Sequence, residues 1–303
     1  MPAESRQRLA QALLYLTPLL WSANYIGARA AVDVIAPHQL ALARWSVAFL
    51  VMLPPALPAL RRTWPGWRHE WKAMLLLGAL GMWICGAFVY IGARTTPAVN
   101  IGLIYALAPV LIAILSVRLL GERLRAVQVA GAAVAIAGVA VILFKGSAAD
   151  LLAIELTVGD LWIAVAMLSW TAYSVLLKRI PSVLDSYARQ TVITFAGMLV
   201  LLPFTAVEVA IQGIAPLTWE VVGLVLLVAL LPGFGAYQAY AFVQRELGAA
   251  RTGLILYLGP IYAALVAWAL LGEAPQWFHV VGAALILPGI YLATRTEAKP
   301  ATR

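Results

Sequence analysis

Charge is what this chain has least of. Asp, Glu, Lys and Arg make up 11% of its 303 residues, under half the ~25% of a soluble domain. Hydrophobic residues reach 63%, against roughly 45–50% in soluble proteins. Together these values exclude a soluble globular protein and leave an integral membrane protein with almost no soluble part. Cysteine is nearly absent too. The single Cys85 rules out a disulfide framework and a cysteine-rich metal site, and its apolar surroundings mark it as a small core residue. Carboxylates are missing from the middle of every apolar stretch, since Asp160, Asp185, Glu208, Glu220, Glu246 and Glu273 all fall near ends. Their placement disfavours coupling through a mid-membrane acid and favours facilitated diffusion or coupling by another group. His38, His69 and His279 have no metal-ligand spacing. No Gly-x-Ser-x-Gly elbow, paired-histidine motif or P-loop occurs. Neither an enzyme nor ATP hydrolysis is expected, and no cofactor or metal.

The few charges outline what is present. Nearly charge-free stretches, each near the ~20 residues that span hydrocarbon, predict ten helices. They lie at about 9–30, 37–60, 71–93, 96–118, 124–144, 157–179, 183–207, 217–244, 249–271 and 275–295. The first resembles a signal peptide only superficially. It is long for a signal core, and its Trp21-Ser22-Ala23 recurs as Trp170-Thr171-Ala172.

Lys and Arg set the orientation. With the N-terminus inside, the inner segments carry the basic residues of 61–72, 118–125, 178–179 and 245–251 and of both termini. The outer segments carry only Arg29, Arg94 and Lys145. Both termini are therefore expected in the cytoplasm, the membrane being a bacterial-type inner (plasma) membrane. The net charge of +8 is then an orientation signal with anionic lipid as partner, and no nucleic acid is expected. Trp64, Trp67, Trp71, Trp219 and Trp277 sit at helix ends as expected interfacial anchors.

The chain also repeats itself. Ala108-Pro109-Val110 recurs as Gly259-Pro260-Ile261, and Leu119-Leu120-Gly121-Glu122 as Leu270-Leu271-Gly272-Glu273, both shifted by 151 residues. Gly102, Gly131 and Gly138 recur as Gly253, Gly282 and Gly289. An odd number of spans per copy inverts the second copy in the bilayer. The predicted fold is all-α and membrane-integral, with two inverted five-helix repeats at 1–146 and 147–303. Such repeats are typical of secondary transporters, with the substrate path between the halves. The paired glycines permit close helix packing or a dimer contact, so monomer and homodimer stay open.

Polar and aromatic residues deep in spans are the site candidates, because unpaired polar groups in hydrocarbon are costly. Trp21, Asn24 and Tyr25 share a face of the first helix, and Trp170 and Tyr173 share the matching face of the sixth. Tyr237, Tyr240 and Gln244, with Gln238 beside them, form a face of the eighth. Trp83 and Tyr90, Asn100 and Tyr105, and Tyr257 come from the third, fourth and ninth. Arg44 and Arg189 lie inside spans, where either can pair with a substrate carboxylate, snorkel, or act structurally. Pro109 and Pro260 are the candidate hinges. A cavity lined this way suits a small zwitterion with an apolar or aromatic body, and a drug or cationic metabolite is the alternative substrate.

The two five-span halves, the Asn-Tyr after Trp21-Ser22-Ala23, and the doubled Pro109-to-Glu122 and Pro260-to-Glu273 endings resemble the drug/metabolite transporter superfamily, in its ten-helix EamA branch. Within that branch the chain looks like the YddG-type aromatic amino-acid exporters. The resemblance implies export of amino acids or related metabolites. It also implies a central cavity among helices 1–4 and 6–9, with helices 5 and 10 outside it.

Overall fold

The computed structural model describes residues 3–31, 34–96, 98–147, 155–271 and 274–294. All regular structure among them is helical. In chain order the spans are α1 (Ala3–Ala30), α2 (Pro37–Arg62), α3 (Trp64–Gly92), α4 (Asn100–Leu120), α5 (Ala126–Leu143), α6 (Val158–Arg179), α7 (Ser186–Gln212), α8 (Trp219–Leu247), α9 (Ala249–Val266) and α10 (Trp277–Thr294). Nine of them are long and apolar enough to cross a membrane. The tenth, α1, runs for 28 residues and starts with the charged Glu4, Arg6 and Arg8 ahead of its apolar body. Leucines and valines point outward along the bundle, as at Leu50, Val165 and Leu202, which suits a bilayer as solvent.

The halves are inverted, and the glycines show it. A Cβ placed on Gly131 would sit 2.6 Å from the Gly289 carbonyl oxygen, and one on Gly138 would sit 2.7 Å from that of Gly282. The earlier glycine of α5 meets the later glycine of α10, so the two helices run antiparallel with their backbones touching. The four glycines serve a seam within one chain, not the dimer contact that the sequence left open. Helices α2 and α7 pair in the same sense. His38 and Gln39, at the start of α2, contact Glu208 near the end of α7: Nδ1 of His38 lies 3.0 Å from Oε1, and the Gln39 amide donates to Oε2 at 2.9 Å.

Four spans are locally irregular. Helix α4 breaks between Ala106 and Ala108, just before Pro109. Helix α9 tightens into a 3-10 turn over Leu254–Leu258, just before Gly259-Pro260. Proline cannot donate the next helical bond and clashes with the preceding turn, so both breaks fall where the ring demands them. Helices α3 and α8 widen into π-helical segments, Ala79–Ile84 and Ala229–Ala236. These occupy corresponding places in the two halves. In α3 the widened turn offers carbonyls sideways to three other helices. Ser169 donates to Leu80 at 2.8 Å, Tyr237 to Gly81 at 3.0 Å, and the Trp45 indole to Met82 at 3.0 Å. π segments of this kind cluster at functional sites.

One of the five expected interfacial anchors behaves differently. Trp64, Trp71, Trp219 and Trp277 are exposed at helix ends. Trp67 folds back instead, donating its indole N–H to the Leu60 carbonyl at 3.0 Å.

Candidate functional site

A cavity lies where α1, α2, α3, α4, α6, α8 and α9 meet. Counting the open solvent at its mouth, it holds about 560 Å³ of empty space. Its floor is aromatic. Trp21 and Trp170, from the matched helices α1 and α6, meet edge to face with centroids 5.2 Å apart. Tyr237 lies 5.5 Å from Trp170, and Tyr240 lies 4.9 Å from it. Trp21, Trp170 and Tyr237 line the space, while Tyr173 and Tyr240 support them from beneath. The Tyr173 hydroxyl donates to Gln190 Oε1 at 2.8 Å, and that of Tyr240 to Ser174 Oγ at 2.9 Å. Edge-to-face contacts of this kind add about 0.5–1.5 kcal/mol each beyond area burial, so the floor is stiff.

Arg44 forms the polar wall. It is 3% exposed, so it is held inside the bundle and does not snorkel. Its guanidinium lies 4.5 Å above the Trp45 ring, a desolvated cation–π contact worth about 2 kcal/mol. Nη1 donates to Asn24 Oδ1 and to the Tyr90 hydroxyl, both at 3.0 Å. Tyr90 in turn donates to Asn24 Oδ1 at 2.8 Å. Nε faces Gly233 and has no partner. No carboxylate among the described residues lies within ion-pair distance of this cation. A buried charge without a counter-ion is expensive in a membrane protein and marks a functional position.

Other candidates lie elsewhere. Tyr105 joins the lining, with its hydroxyl 3.9 Å from Cys85 Sγ. Asn100 is outside the cavity, donating to Asp160 Oδ2 at 3.0 Å and to the Glu155 carbonyl at 2.9 Å. Gln244 donates to the Ser174 carbonyl at 2.8 Å, and Gln238 to the Met52 sulfur at 2.9 Å. Trp83 stacks on Phe204 at 3.9 Å, away from the lining. Tyr257 is buried beside Leu256 with its hydroxyl unpartnered. Arg189 donates to the Leu177 and Ile180 carbonyls, both at 2.8 Å, and so caps the end of α6. The side chain of Tyr25, and Glu273, lie outside the described residues. Cys85, Gly86, Val89 and Leu256 complete the lining. Sequence reasoning passed them over because the space exists only where small residues face polar ones across helices.

At one end of the bundle, hydrogen bonds tie the helices together. Gly121 ends α4 in the left-handed region at φ +67°, a conformation glycine adopts without steric cost. The turn aims Glu122 at the start of α9, where its two oxygens accept the Ala249 and Ala250 amides at 2.9 and 3.1 Å. Beside it, Lys178 at the end of α6 donates to the Arg245 carbonyl at 3.2 Å. These contacts lie at the end bearing the basic loops. Asn24 and Arg44 lie beyond the aromatic floor, toward the other end. Replacing Glu122 with Ala leaves two helix-terminal amides unpaired, a cost of about 1–3 kcal/mol. We expect labelling of a cysteine at position 174 from the basic end to rise roughly tenfold, a factor equal to 1.4 kcal/mol.

The pattern of the EamA-like transporter family matches residues 8–144 and again 157–295. The chain belongs to that family. Two matched units of like length account for the offset repeat. An aromatic amino acid exporter, YddG, from Ancylobacter novellus is 30% identical over 245 residues, covering 78% of each chain. A probable terminal-alkyne amino-acid exporter from Streptantibioticus cattleyicolor is 29% identical, covering 93% of this chain and 92% of the relative. An uncharacterised transporter from Archaeoglobus fulgidus is 26% identical over 94% of this chain. A solved structure shares the fold with a TM-score of 0.71 at 24% identity, covering 94% of this chain and 96% of that one. The protein is therefore a multi-pass membrane transporter of small molecules, not an enzyme.

Proposed function

We propose that the protein exports amino acids with large apolar or aromatic side chains. The observation that carries this reading is Arg44, a buried cation without a carboxylate partner among the described residues, set beside an aromatic floor. The substrate carboxylate supplies the missing counter-charge and the rings take the side chain. The names of the two amino-acid exporters above agree with this chemistry. A cationic drug would meet the Arg44 charge head-on, so no observation favours that alternative.

The transporter works by alternating access in the inner membrane, with both termini cytoplasmic and the basic loops against anionic lipid. In this reading the Glu122 and Lys178 contacts close the basic, cytoplasmic end. Bending at Pro109 and Pro260 exchanges the closed end. No carboxylate among the described residues lines the cavity, which supports facilitated transport. Proteoliposomes loaded with labelled phenylalanine or tryptophan test the reading. Saturable efflux above protein-free vesicles supports it, and efflux at the control rate across a panel of amino acids removes it.

The lone cysteine gives a second check without engineering. Cys85 lines the cavity, so a small methanethiosulfonate reagent is expected to modify it from the open side. Saturating phenylalanine should slow that reaction at least about fivefold, because a seated ligand excludes reagent from a cavity this small. Unchanged rates would place the substrate elsewhere.

A further inference from the structure

The described lining of the cavity is rich in donors and holds no carboxylate. Asn24 Oδ1 is the only side-chain amide oxygen among the described lining residues, and it already accepts from Arg44 and from Tyr90. Two lone pairs are thereby filled. The hydrogen-bond pattern fixes the amide so that Asn24 Nδ2 faces away from those donors, and it has no partner among the described residues. Arg44 Nη2 is likewise unpartnered. The Tyr237 hydroxyl is committed to the Gly81 carbonyl at 3.0 Å. Trp21 and Trp170 bring indole N–H groups, which only donate. No Asp or Glu among the described residues lines the space. A carboxylate entering it finds one cation and a second free donor. An ammonium entering without a carboxylate finds a like charge and no carboxylate, and loses its water uncompensated, whereas the α-ammonium of an amino acid enters beside its own carboxylate.

We infer that this site recognises its substrate through the carboxylate alone, so that aromatic monocarboxylates lacking an α-amino group are also substrates, while the matching amines are refused. The inference rests on the reading that the Arg44 cavity is the substrate site, and it adds the class of ligand the site takes. Discrimination of this sort follows from pairing: rejection is strong where binding leaves buried polar or charged atoms unpaired, on the site or on the ligand, and the Arg44 cavity is left unpaired by the amine but not by the monocarboxylate.

The test uses the full-length protein and three compounds sharing one ring: L-phenylalanine, 3-phenylpropionate and phenethylamine. Each competes at neutral pH against efflux of labelled phenylalanine from proteoliposomes. 3-Phenylpropionate should half-inhibit within about threefold of the phenylalanine concentration needed, and phenethylamine should need at least about tenfold more. Phenethylamine competing as well as 3-phenylpropionate would overturn the inference, as would 3-phenylpropionate weaker than phenylalanine by tenfold or more. Direct binding, read by quenching of tryptophan fluorescence in detergent, separates this result from the amino-acid reading. If phenylalanine is not transported, yet 3-phenylpropionate quenches and Arg44→Gln abolishes the quench, the amino-acid reading falls and the carboxylate site stands. If phenylalanine is transported but 3-phenylpropionate neither competes nor quenches, the inference falls alone.

Discussion

Replacing Arg44 with Ala is expected to raise the half-saturating phenylalanine concentration at least about 30-fold, with the maximal rate falling as well. Truncating one partner of a buried, hydrogen-bonded charge pair costs ~2–5 kcal/mol, and 30-fold corresponds to the lower end. Here the partner is the substrate. Loss of the guanidinium also frees Asn24 and Tyr90, which now converge on Nη1. Arg44→Lys separates these effects. Lysine keeps the charge but lacks the planar fork and the stacking face over Trp45. It should therefore fall between wild type and Ala in apparent affinity. A purely structural Arg44 would give a different pattern: both variants would lose thermal stability in detergent, and the surviving protein would keep wild-type half-saturation.

The second large effect is on stability. Gly138→Leu should unfold or disperse the protein in detergent, with a loss of roughly 3 kcal/mol or more, since overpacking a tight contact costs 1–3 kcal/mol even where side chains can yield. Backbone cannot yield here. The first added carbon would lie 2.7 Å from the Gly282 carbonyl oxygen and 2.8 Å from Leu285 Cβ. Gly223→Ala is the control. It sits in α8 with nothing within 4 Å of an added Cβ, so the change should be neutral or stabilising by about 0.5–1 kcal/mol. Fluorescence-detected size exclusion after a heat step reads both. Equal stability of the two variants would mean that the α5–α10 seam is looser than its glycines indicate.

The seam was legible in the sequence because a packing contact between small residues leaves a period: Gly131 and Gly138 lie two turns apart, and the repeat copies them. The proline breaks were legible for a similar reason, since a missing N–H acts on the residue's own turn. What the sequence did not disclose is where polar side chains find their partners. Asn100 and Gln244 share the depth and character of Asn24, yet they bond to Asp160 and Ser174, residues far away in the chain. Periodicity places a side chain on a face and says nothing of which helix covers that face. The π segment of α3 was hidden as well. Pro232-Gly233 hints at its mate in α8, whereas Ala79–Ile84 carries no local signal. Glu122 was visible only as part of a repeated ending. Its role in closing the basic end depends on the turn at Gly121 and on a helix start more than a hundred residues away.

The central claim is that substrate passes through the cavity walled by Arg44 and floored by Trp21 and Trp170. Efflux of labelled phenylalanine from proteoliposomes, measured side by side for the wild type, Arg44→Ala and protein-free vesicles, tests it most directly. The account predicts saturable efflux for the wild type that drops to near the protein-free rate in Arg44→Ala at low substrate concentration. Wild-type efflux no faster than protein-free vesicles, or an Arg44→Ala curve that overlays the wild type, would contradict it.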